Sequence, residues 1–528
     1  MIGRAIDSIV GVISPAAGAR RAHAREVMRK VSQRSYDAAR KDRRLSSWRT
    51  QNRSADLEML ADVDTVRARS RDLVRNNPYA RGILRAQIRN IVCTGIVPQA
   101  QVELESEEQS DLFNEKVEDL FRRFNEEADI TGRLTFYEMQ QAIISERWEA
   151  GEILVRFVRV DDRASAIPLK LELIEADRLA GDHLFPRGMN KETGNEVRRG
   201  IEIDSNGKPV AYWIYKTHPN DLNTRQLKAE RYPADDFLPL FKPTRVGQTR
   251  GFPELGTVVT WIKGVDRYLA TELEASEVAS CFTVAIKTTG GGADGGLLPS
   301  SGGASEDTRG NSFEHIEPAT VARLFPGEDI SVINPSRNHS DSGEWIALMQ
   351  RSIGVGTGLS YERLTRDYSK TSYSSNRAGD LEDRREFRIE QQWLIGHFCR
   401  EVWLRFMAAA VSSSIDWMPD EMQFIAEFDK WTAHYWQPPG WEWVDPKKES
   451  DASSNSISSF QSTLRDEIAK KGGDWRGVLK QRAKELRYLS TLLNVPISTI
   501  LNGSGANAPN VDNKSLLDKL EDMEPATN

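Results

Sequence analysis

The stretch RDYSKTSYSSNRAGD at residues 366–380 holds the residue types of a serine or lysine active site. A serine nucleophile needs a base within hydrogen-bonding reach, a group that orients the base, and an oxyanion site. Ser369 and Lys370 are adjacent, so on an extended chain their side chains point to opposite sides. The stretch also lacks the Ser-x-x-Lys and Gly-x-Ser-x-Gly spacings. The pattern favours a structural loop, and we predict no catalytic residue.

The sequence likewise shows no pattern typical of a metal site. The seven histidines form no ligand-spaced pair, and no His-Glu-x-x-His motif is present. His397 lies in a dense apolar segment, which is typical of a core histidine. The acidic pairs Asp161–Asp162 and Asp235–Asp236 stand in turn contexts that favour solvated carboxylates. We therefore expect no metal site and no cofactor, and we expect that the protein is not an enzyme.

Charge is distributed unevenly along the 528 residues. Residues 1–53 carry a net charge of +9, whereas the remainder carries −16. A basic arm of this kind can bind nucleic acid or an acidic partner surface, or it can be a solvated helix. The acidic remainder argues against a protein that grips DNA tightly, because Lys and Arg contacts to phosphates supply most of that affinity. No apolar run approaches membrane-spanning length, so we expect no membrane association.

The elements that would position these residues follow from hydrophobic periodicity. Residues 56–91 have a helical pattern, and Asn77 followed by Pro78 is typical of a helix start. Apolar residues at spacings of three and four predict helices over 108–126 and 134–151, the second ending at Gly151. The apolar face of the first of these is Leu112, Val117, Leu120, Phe121 and Phe124.

The period then changes from helical to alternating. Short runs rich in branched and aromatic residues predict strands across 152–246, and Asn206–Gly207 predicts a hairpin turn. A long helix of about 30 residues, roughly 45 Å in length, is predicted next, with an apolar stripe that includes Leu269 and Leu273. A β-rich insert is thus bracketed by two helices.

The last third of the chain reads as mainly helical and rich in tryptophan. Trp393, Trp403, Trp417, Trp431, Trp436, Trp441 and Trp443 occur there. They indicate either core packing or a large subunit contact, since Trp is enriched at interfaces as well as in cores. The end of the chain, from Gly503, reads as a tail with one short amphipathic segment, SLLDKLEDM.

The combination resembles the lambda-type family of tailed-bacteriophage portal proteins over about residues 60–500. The segments that carry the resemblance are NNPYARGILRAQIRNIVCTGIVPQ (76–99), FYEMQQAIISERWEAGEILVRF (136–157), LELIEADRL (171–179), RGFPELGTVVTWIKGVDRYLATELEASEVASCF (250–282), LFPGEDISVINPSR (324–337), RDYSKTSYSSNRAG (366–379) and WQPPGWEWVDPKKE (436–449).

The resemblance implies an α+β portal fold with a mixed wing, a helical stem, a β-rich clip and a helical crown. The implied divisions are a basic N-terminal arm (1–55), the first part of the wing (56–133), stem helix 1 (134–151), the clip (152–251), stem helix 2 (252–284), the second part of the wing with a Gly-rich loop and a tunnel loop (285–345), a channel helix and signature loop (346–375), the crown (376–502) and a flexible tail (503–528).

The resemblance also implies a function. Portals form a dodecameric ring at one capsid vertex, through which double-stranded DNA is packaged and ejected. The implied partners are the terminase large subunit, a head–tail adaptor, and the major capsid and scaffold proteins. The protein would then be a virion component that is assembled in the host cytoplasm.

Site residues follow from the same resemblance. The segment at 334–344 matches the tunnel loop, so Arg337, Asn338 and His339 are expected to lie near DNA. The segment at 366–380 matches a signature loop that holds neighbouring elements or subunits together. Its candidate contact residues are Tyr368, Lys370, Tyr373 and Arg377.

Two readings from other classes remain open at this point. One is a non-portal DNA-binding ring or adaptor that acts through the arm at 1–53. The other is a DNA-processing hydrolase, which would need a metal or nucleophile site. Deletion of the arm discriminates between the first of these and a portal, because a portal should still assemble without it.

Overall fold

A computed structural model gives the fold of the chain. It describes residues 52–60, 62–160, 165, 167–181, 188–221, 228–281, 342–413, 415–441, 446–493 and 495–502, together with positions 23, 50, 285–286, 305–306, 312–313 and 322–323. The chain divides into two compact units, Met1–Glu58 and Met59–Asn528. Apart from the start of helix α1, the elements described below belong to the second unit.

Helices make up most of the described residues. In chain order they are α1 (Ala55–Leu60), α2 (Val63–Asn76), α3 (Pro78–Ile91), α4 (Glu107–Glu127), α5 (Phe136–Ala150), α6 (Val259–Cys281), α7 (Ser342–Thr357), α8 (Tyr361–Thr365), α9 (Tyr373–Leu394), α10 (Arg400–Ser412), α11 (Glu421–Ala426), α12 (Phe428–Trp431), α13 (Pro446–Ser458), α14 (Leu464–Lys470), α15 (Trp475–Leu493) and α16 (Ile497–Asn502). A π-helical turn, Ile395–Cys399, joins α9 to α10.

The strands lie mostly between α5 and α6. They are β1 (Val97–Ala100), β2 (Glu152–Val158), β3 (Lys170–Glu175), β4 (Glu196–Arg198), β5 (Ile201–Ile203), β6 (Pro209–Tyr215), β7 (Ala229–Pro233), β8 (Phe237–Phe241), four two-residue strands, β9 (Ala285–Ile286), β10 (Ser305–Glu306), β11 (Ser312–Phe313) and β12 (Ala322–Arg323), and β13 (His434–Gln437).

Local sequence signals account for the helix ends. The Asn77 side chain caps α3 by accepting hydrogen bonds from the backbone N–H groups of Tyr79 and Ala80, and Pro78 occupies the first turn. Thr135 and Glu138 form a reciprocal capping box at the start of α5. Gly151 ends α5 in the left-handed region at φ 95°. The predicted helices over 108–126 and 134–151 are confirmed within two residues at each end.

Two antiparallel sheets form the predicted β-rich insert. One has the strand order β3-β2-β8 and the other the order β4-β5-β6-β7. Asn206 and Gly207 lie in the turn between β5 and β6, as the sequence predicts, with Gly207 at φ 82°. The insert has its own small core: Leu154, Ile174, Leu179, Ile201, Ile203, Tyr212, Ile214 and Phe237.

The main core packs α3, α4, α5 and the α9–α10 helix around aromatic rings. Phe121 contacts Phe136 and Phe406 with ring centroids 5.4 and 4.9 Å apart. The β1–β13 pair joins Val97 to Gln437 across the same core. Trp403, Trp431 and Trp436 are buried in it, which confirms the core interpretation for these three tryptophans.

Several side chains that the sequence predicts to be buried are exposed in the structure. The prediction that His397 is a core histidine is wrong, because the π-helical turn places it at the surface. There its ring stacks on that of Trp393, with the two ring centroids 5.3 Å apart. Leu112, Leu269 and Leu273 are exposed although they were predicted to lie on apolar faces. Periodicity identifies a face of a helix but does not show how far along the helix the core extends.

The segment at 366–380 is only partly a loop. Helix α9 begins at Tyr373, with the Ser372 hydroxyl accepting a hydrogen bond from the Ser375 backbone N–H. Residues 373–380 are therefore helical. Among the described helices, none combines the length and the hydropathy required to cross a membrane.

Candidate functional site

The two connections between the helices and the β-rich insert pass each other at two glycines. A Cβ atom on Gly251 would stand 2.2 Å from the carbonyl oxygen of Gly151. A Cβ atom on Gly151 would stand 2.4 Å from the carbonyl carbon of Phe252, and its φ of 95° disfavours other residues. The chain thus enters and leaves the insert at one point. We call the residues at this point, 147–152 and 250–254, the helix–sheet junction.

A buried carboxylate holds the junction closed. Glu152 is 3% exposed and accepts hydrogen bonds from Arg250 Nε at 2.7 Å and from the Gly251 backbone N–H at 2.8 Å. Arg67 of α2 donates its Nη2 hydrogen to the same carboxylate at 3.3 Å and its Nε hydrogen to the Ala150 carbonyl at 3.0 Å. Burial lowers the pKa of Arg67, and the attraction of Glu152 opposes this shift. A single carboxylate therefore joins a helix and both connections.

The rest of the Arg250 guanidinium reaches backbone oxygens in the insert. Its Nη1 and Nη2 groups donate to the carbonyls of Arg199 and Ala176 at 2.8 and 3.0 Å. Buried polar groups cost free energy unless they are paired, and here all three nitrogens of Arg250 have partners. The part of the junction around Glu152 and Arg250 is consequently a satisfied buried ionic network.

Asp177 extends the network toward solvent. Its carboxylate accepts a hydrogen bond from Arg71 at 2.7 Å and lies 3.7 Å from Arg67. Burial acts to raise its pKa, but the two arginines outweigh this effect and hold the pKa below its ordinary value.

Among the described residues, Glu175, Asp177 and His218 place possible metal ligands within 4.8 Å of one another. Because Asp177 already pairs with two arginines, this group is poorly suited to a cation.

Arg147 forms the second half of the junction. Its side chain is fully buried, its Nε lies 2.9 Å from Glu254, and it also pairs with Glu390 of α9. Its guanidinium lies 4.4 Å from the centre of the Trp393 ring. Glu390 in turn pairs with Lys242, which follows β8. These contacts tie α5, α9 and the start of the α6 segment to the insert.

Sequence reasoning missed the role of Arg147, although a signal was present. Arg147 lies four residues after Ile143 and eleven after Phe136, on the face of α5 that the core buries. A charged residue at an apolar position of a periodic helix indicates a buried ion pair. No comparable signal marks Glu152, which stands at the first position of a strand.

The four predicted signature-loop residues differ in their exposure and in their contacts. Tyr368, Lys370 and Tyr373 are exposed. Arg377 lies on α9, and its Nη2 is 3.7 Å from Glu449 of the same chain. This ion pair joins two elements of one chain, and contacts of these four residues between subunits stay a prediction. Residues 337–339, the predicted tunnel-loop residues, lie outside the described residues.

Ser369, the candidate nucleophile of the 366–380 segment, stabilises a local turn. The Ser369 hydroxyl and backbone N–H donate to Asp367 Oδ1 at 2.6 and 3.0 Å. A hydroxyl that donates to a carboxylate in its own turn stabilises that turn. Arg363 holds the same region, donating to Asp383 at 2.7 Å and to Asn90 of α3 at 2.8 Å.

Replacing Glu146 with glutamine is expected to stabilise the protein at pH 8 by on the order of 2 kcal/mol, with little effect at about pH 5. Burial raises the pKa of Glu146 to about 7; Arg71 opposes the shift, while Glu149, Glu175 and Asp177 add to it. A carboxyl with a raised pKa favours folding below its unfolded value of 4.5 and loses that contribution as the pH rises through 7. Glutamine does not ionise and avoids the loss.

The midpoint of urea unfolding at the two pH values measures this effect. Glu382→Gln is the matched control, because Glu382 is exposed and, among the described residues, forms an ion pair only with the exposed Arg385. A Glu146→Gln variant that is less stable than the native protein at pH 8 would contradict the assignment.

Comparison with known proteins places the chain in a family. The family described as phage portal protein, lambda family, matches residues 41–391. The chain is 28% identical over 467 residues to the probable portal protein of Halomonas phage phiHAP-1, covering 87% of each chain. It is 23% identical over 471 residues to portal protein B of Escherichia phage lambda, covering 84% of this chain and 87% of that one.

A solved structure is also similar. A chain in the neck of an empty GTA particle matches 68% of this chain and 92% of its own length, at 15% identity and a TM-score of 0.34. The family match runs from before α1 to residue 391 within α9 and so includes the helix–sheet junction. The chain belongs to the lambda family of phage portal proteins.

Proposed function

We propose that the chain assembles into a dodecameric ring at one capsid vertex and that this ring forms the channel for double-stranded DNA during packaging and ejection. The observation that carries the proposal is the family match over residues 41–391. Members of the family are structural proteins, and the match indicates no catalytic function. A head-to-tail interface with a fixed rotation closes into a ring of defined size.

We assign the described helices and strands to the stem, clip and crown of a portal. We assign α5 and α6 as the stem helices, the insert between them as the clip, and the helices from α9 onward as the crown. In this assignment the helix–sheet junction lies where the stem meets the clip. Its buried ion pairs would transmit a displacement of the clip to α5 and α9, because a close-packed interior does not deform continuously.

Exposed apolar side chains support assembly with other copies. Trp261, Leu269 and Leu273 of α6 are 48%, 39% and 63% exposed, and Leu348 and Val355 of α7 are 58% and 87% exposed. Apolar residues concentrated on two adjoining helices are typical of protein interfaces. We propose that this surface, the α6–α7 face, packs against the neighbouring subunit.

The contacts with DNA are proposed to be weak. Residues outside the arm carry a net charge of −16, so the ring walls would repel phosphates except at a few basic side chains. Arg337, Asn338 and His339 stay our candidates for the residues nearest DNA. Weak and sequence-independent contacts suit a duplex that has to slide.

The partners are proposed by family membership. The clip would dock the terminase large subunit first and a head–tail adaptor later, and the wing and crown would contact the major capsid and scaffold proteins. The ring would assemble in the host cytoplasm and remain in the virion at the capsid vertex.

Electron microscopy and native mass spectrometry of the purified protein test the proposal. Closed rings of about twelve copies around a channel wide enough for a duplex are the expected result. A protein that stays monomeric at high concentration, with and without scaffold protein, would contradict it.

Replacing Leu273 with aspartate is expected to raise the protein concentration needed for ring formation by about 10- to 100-fold. Burying one leucine is worth roughly 1.5–3 kcal/mol, and a charge in its place adds a desolvation cost. Mass photometry over a dilution series measures the shift. Val246→Asp is the control, because Val246 is fully exposed in a loop of the insert. Equal effects of the two variants would rule out the α6–α7 face.

A further inference from the structure

A cleft of about 480 Å³ lies between α2, α3 and α5 and adjoins the helix–sheet junction at Glu149. Val74, Leu84 and Ile88 give it an apolar floor. Its rim is polar and mainly basic, and consists of Arg71, Arg75, Arg81, Arg85, Ser145 and Glu149. The cleft thus combines a patch for apolar side chains with four positive charges.

Two of the four arginines are available to a ligand. Arg71 is committed to Asp177, and Arg75 pairs with Asp72 at 3.4 Å. Arg81 and Arg85 are exposed on α3, four residues apart and hence on the same side of the helix. The described residues provide no ion-pair partner for either of them.

This chemistry suits an acidic amphipathic helix better than nucleic acid. Phosphates would gain from the arginines but would leave the apolar floor uncovered. An amphipathic helix can place apolar side chains on the floor of a groove and carboxylates against its basic rim. A volume of 480 Å³ is in the range of sites that hold several side chains.

The chain itself contains such a segment, SLLDKLEDM at 515–523, which lies outside the described residues. In a helix, Leu516, Leu520 and Met523 would share one face. Asp518, Glu521 and Asp522 supply three carboxylates within the same nine residues. Residues 503–514 precede it and, fully extended, span up to about 40 Å.

We infer that the cleft between α2, α3 and α5 binds residues 515–523 of this protein. The leucines cover Val74, Leu84 and Ile88, and the carboxylates pair with Arg81 and Arg85. The inference does not depend on ring formation, because the occupant can come from the same copy or from a neighbouring one.

Photo-crosslinking in the full-length protein tests the inference. A benzoylphenylalanine replaces Leu517, next to the apolar face, and mass spectrometry identifies the crosslinked peptides after irradiation. Crosslinks to residues 74–88 are expected. The Arg81→Glu/Arg85→Glu variant is expected to reduce their yield at least about tenfold. Lys208→Glu, in the exposed β5–β6 turn, is the control and should leave the yield unchanged.

Variants of the tail separate binding from folding. Glu521→Lys/Asp522→Lys, which reverses the two carboxylates flanking the apolar face, changes no residue of the cleft and should also abolish the crosslink, and combining it with the arginine reversals should restore it. Gel mobility then tells whether the crosslink joins one copy or two. Crosslinks to other regions would overturn the inference. So would an unchanged yield after the arginine reversals; a loss of duplex DNA binding by that variant would then assign these arginines to nucleic acid.

Discussion

Replacing Glu152 with glutamine is expected to lower the free energy of unfolding by about 3–5 kcal/mol, because it leaves two buried arginines without their shared counter-charge. Arg67 and Arg250 are 3% and 6% exposed, and both hydrogen-bond to the Glu152 carboxylate. Glutamine keeps the shape of the side chain, so the loss reports charge and hydrogen bonding. It can accept through one oxygen where the carboxylate accepts through two.

Urea unfolding followed by tryptophan fluorescence measures the change. Glu196→Gln is the matched control: Glu196 pairs with Arg198 at 2.8 Å on the surface of the insert, and its loss should cost less than about 1 kcal/mol. If Glu152→Gln is no more destabilising than Glu196→Gln, the buried network does not hold the junction.

Replacing Arg147 with methionine is expected to cost a similar 3–5 kcal/mol at neutral pH. Methionine retains much of the buried volume and takes the arginine away from Glu254 and Glu390, of which Glu390 keeps its ion pair with Lys242. Burial already raises the pKa of Glu254, and Arg147 opposes that shift. Without Arg147 the pKa should rise further, so protonation should remove part of the penalty. The deficit relative to the native protein should therefore be smaller at about pH 5 than at pH 8.

Unfolding midpoints at both pH values check this prediction. Arg385→Met is the control, because Arg385 is 73% exposed and its ion pair within the described part of the chain is with the exposed Glu382. Adding Glu254→Gln to Arg147→Met should recover part of the lost stability, since it removes the uncompensated charge of Glu254. A deficit that is equal at the two pH values would indicate lost packing and not stranded carboxylates.

The sequence by itself determined the local structure, because its signals act over a few residues. Asn77 and Pro78 mark the start of α3, and Gly151 marks the end of α5. Alternation predicted the strands of the insert, and Asn206–Gly207 predicted its hairpin. The ordered segments that resemble portal proteins also predicted the family, which the comparisons confirm.

Only the tertiary structure decided which charged residues are buried and with which partners. Glu152 and Arg250 are 98 positions apart, and Arg147 and Glu390 are 243 apart. Periodicity reports a face of one element and carries no information on what another element brings to that face. Leu269 and Leu273 illustrate the same limit, because their helix continues past the core of its own chain. The helix–sheet junction exists because the two connections of the insert cross, and that crossing is a property of the fold.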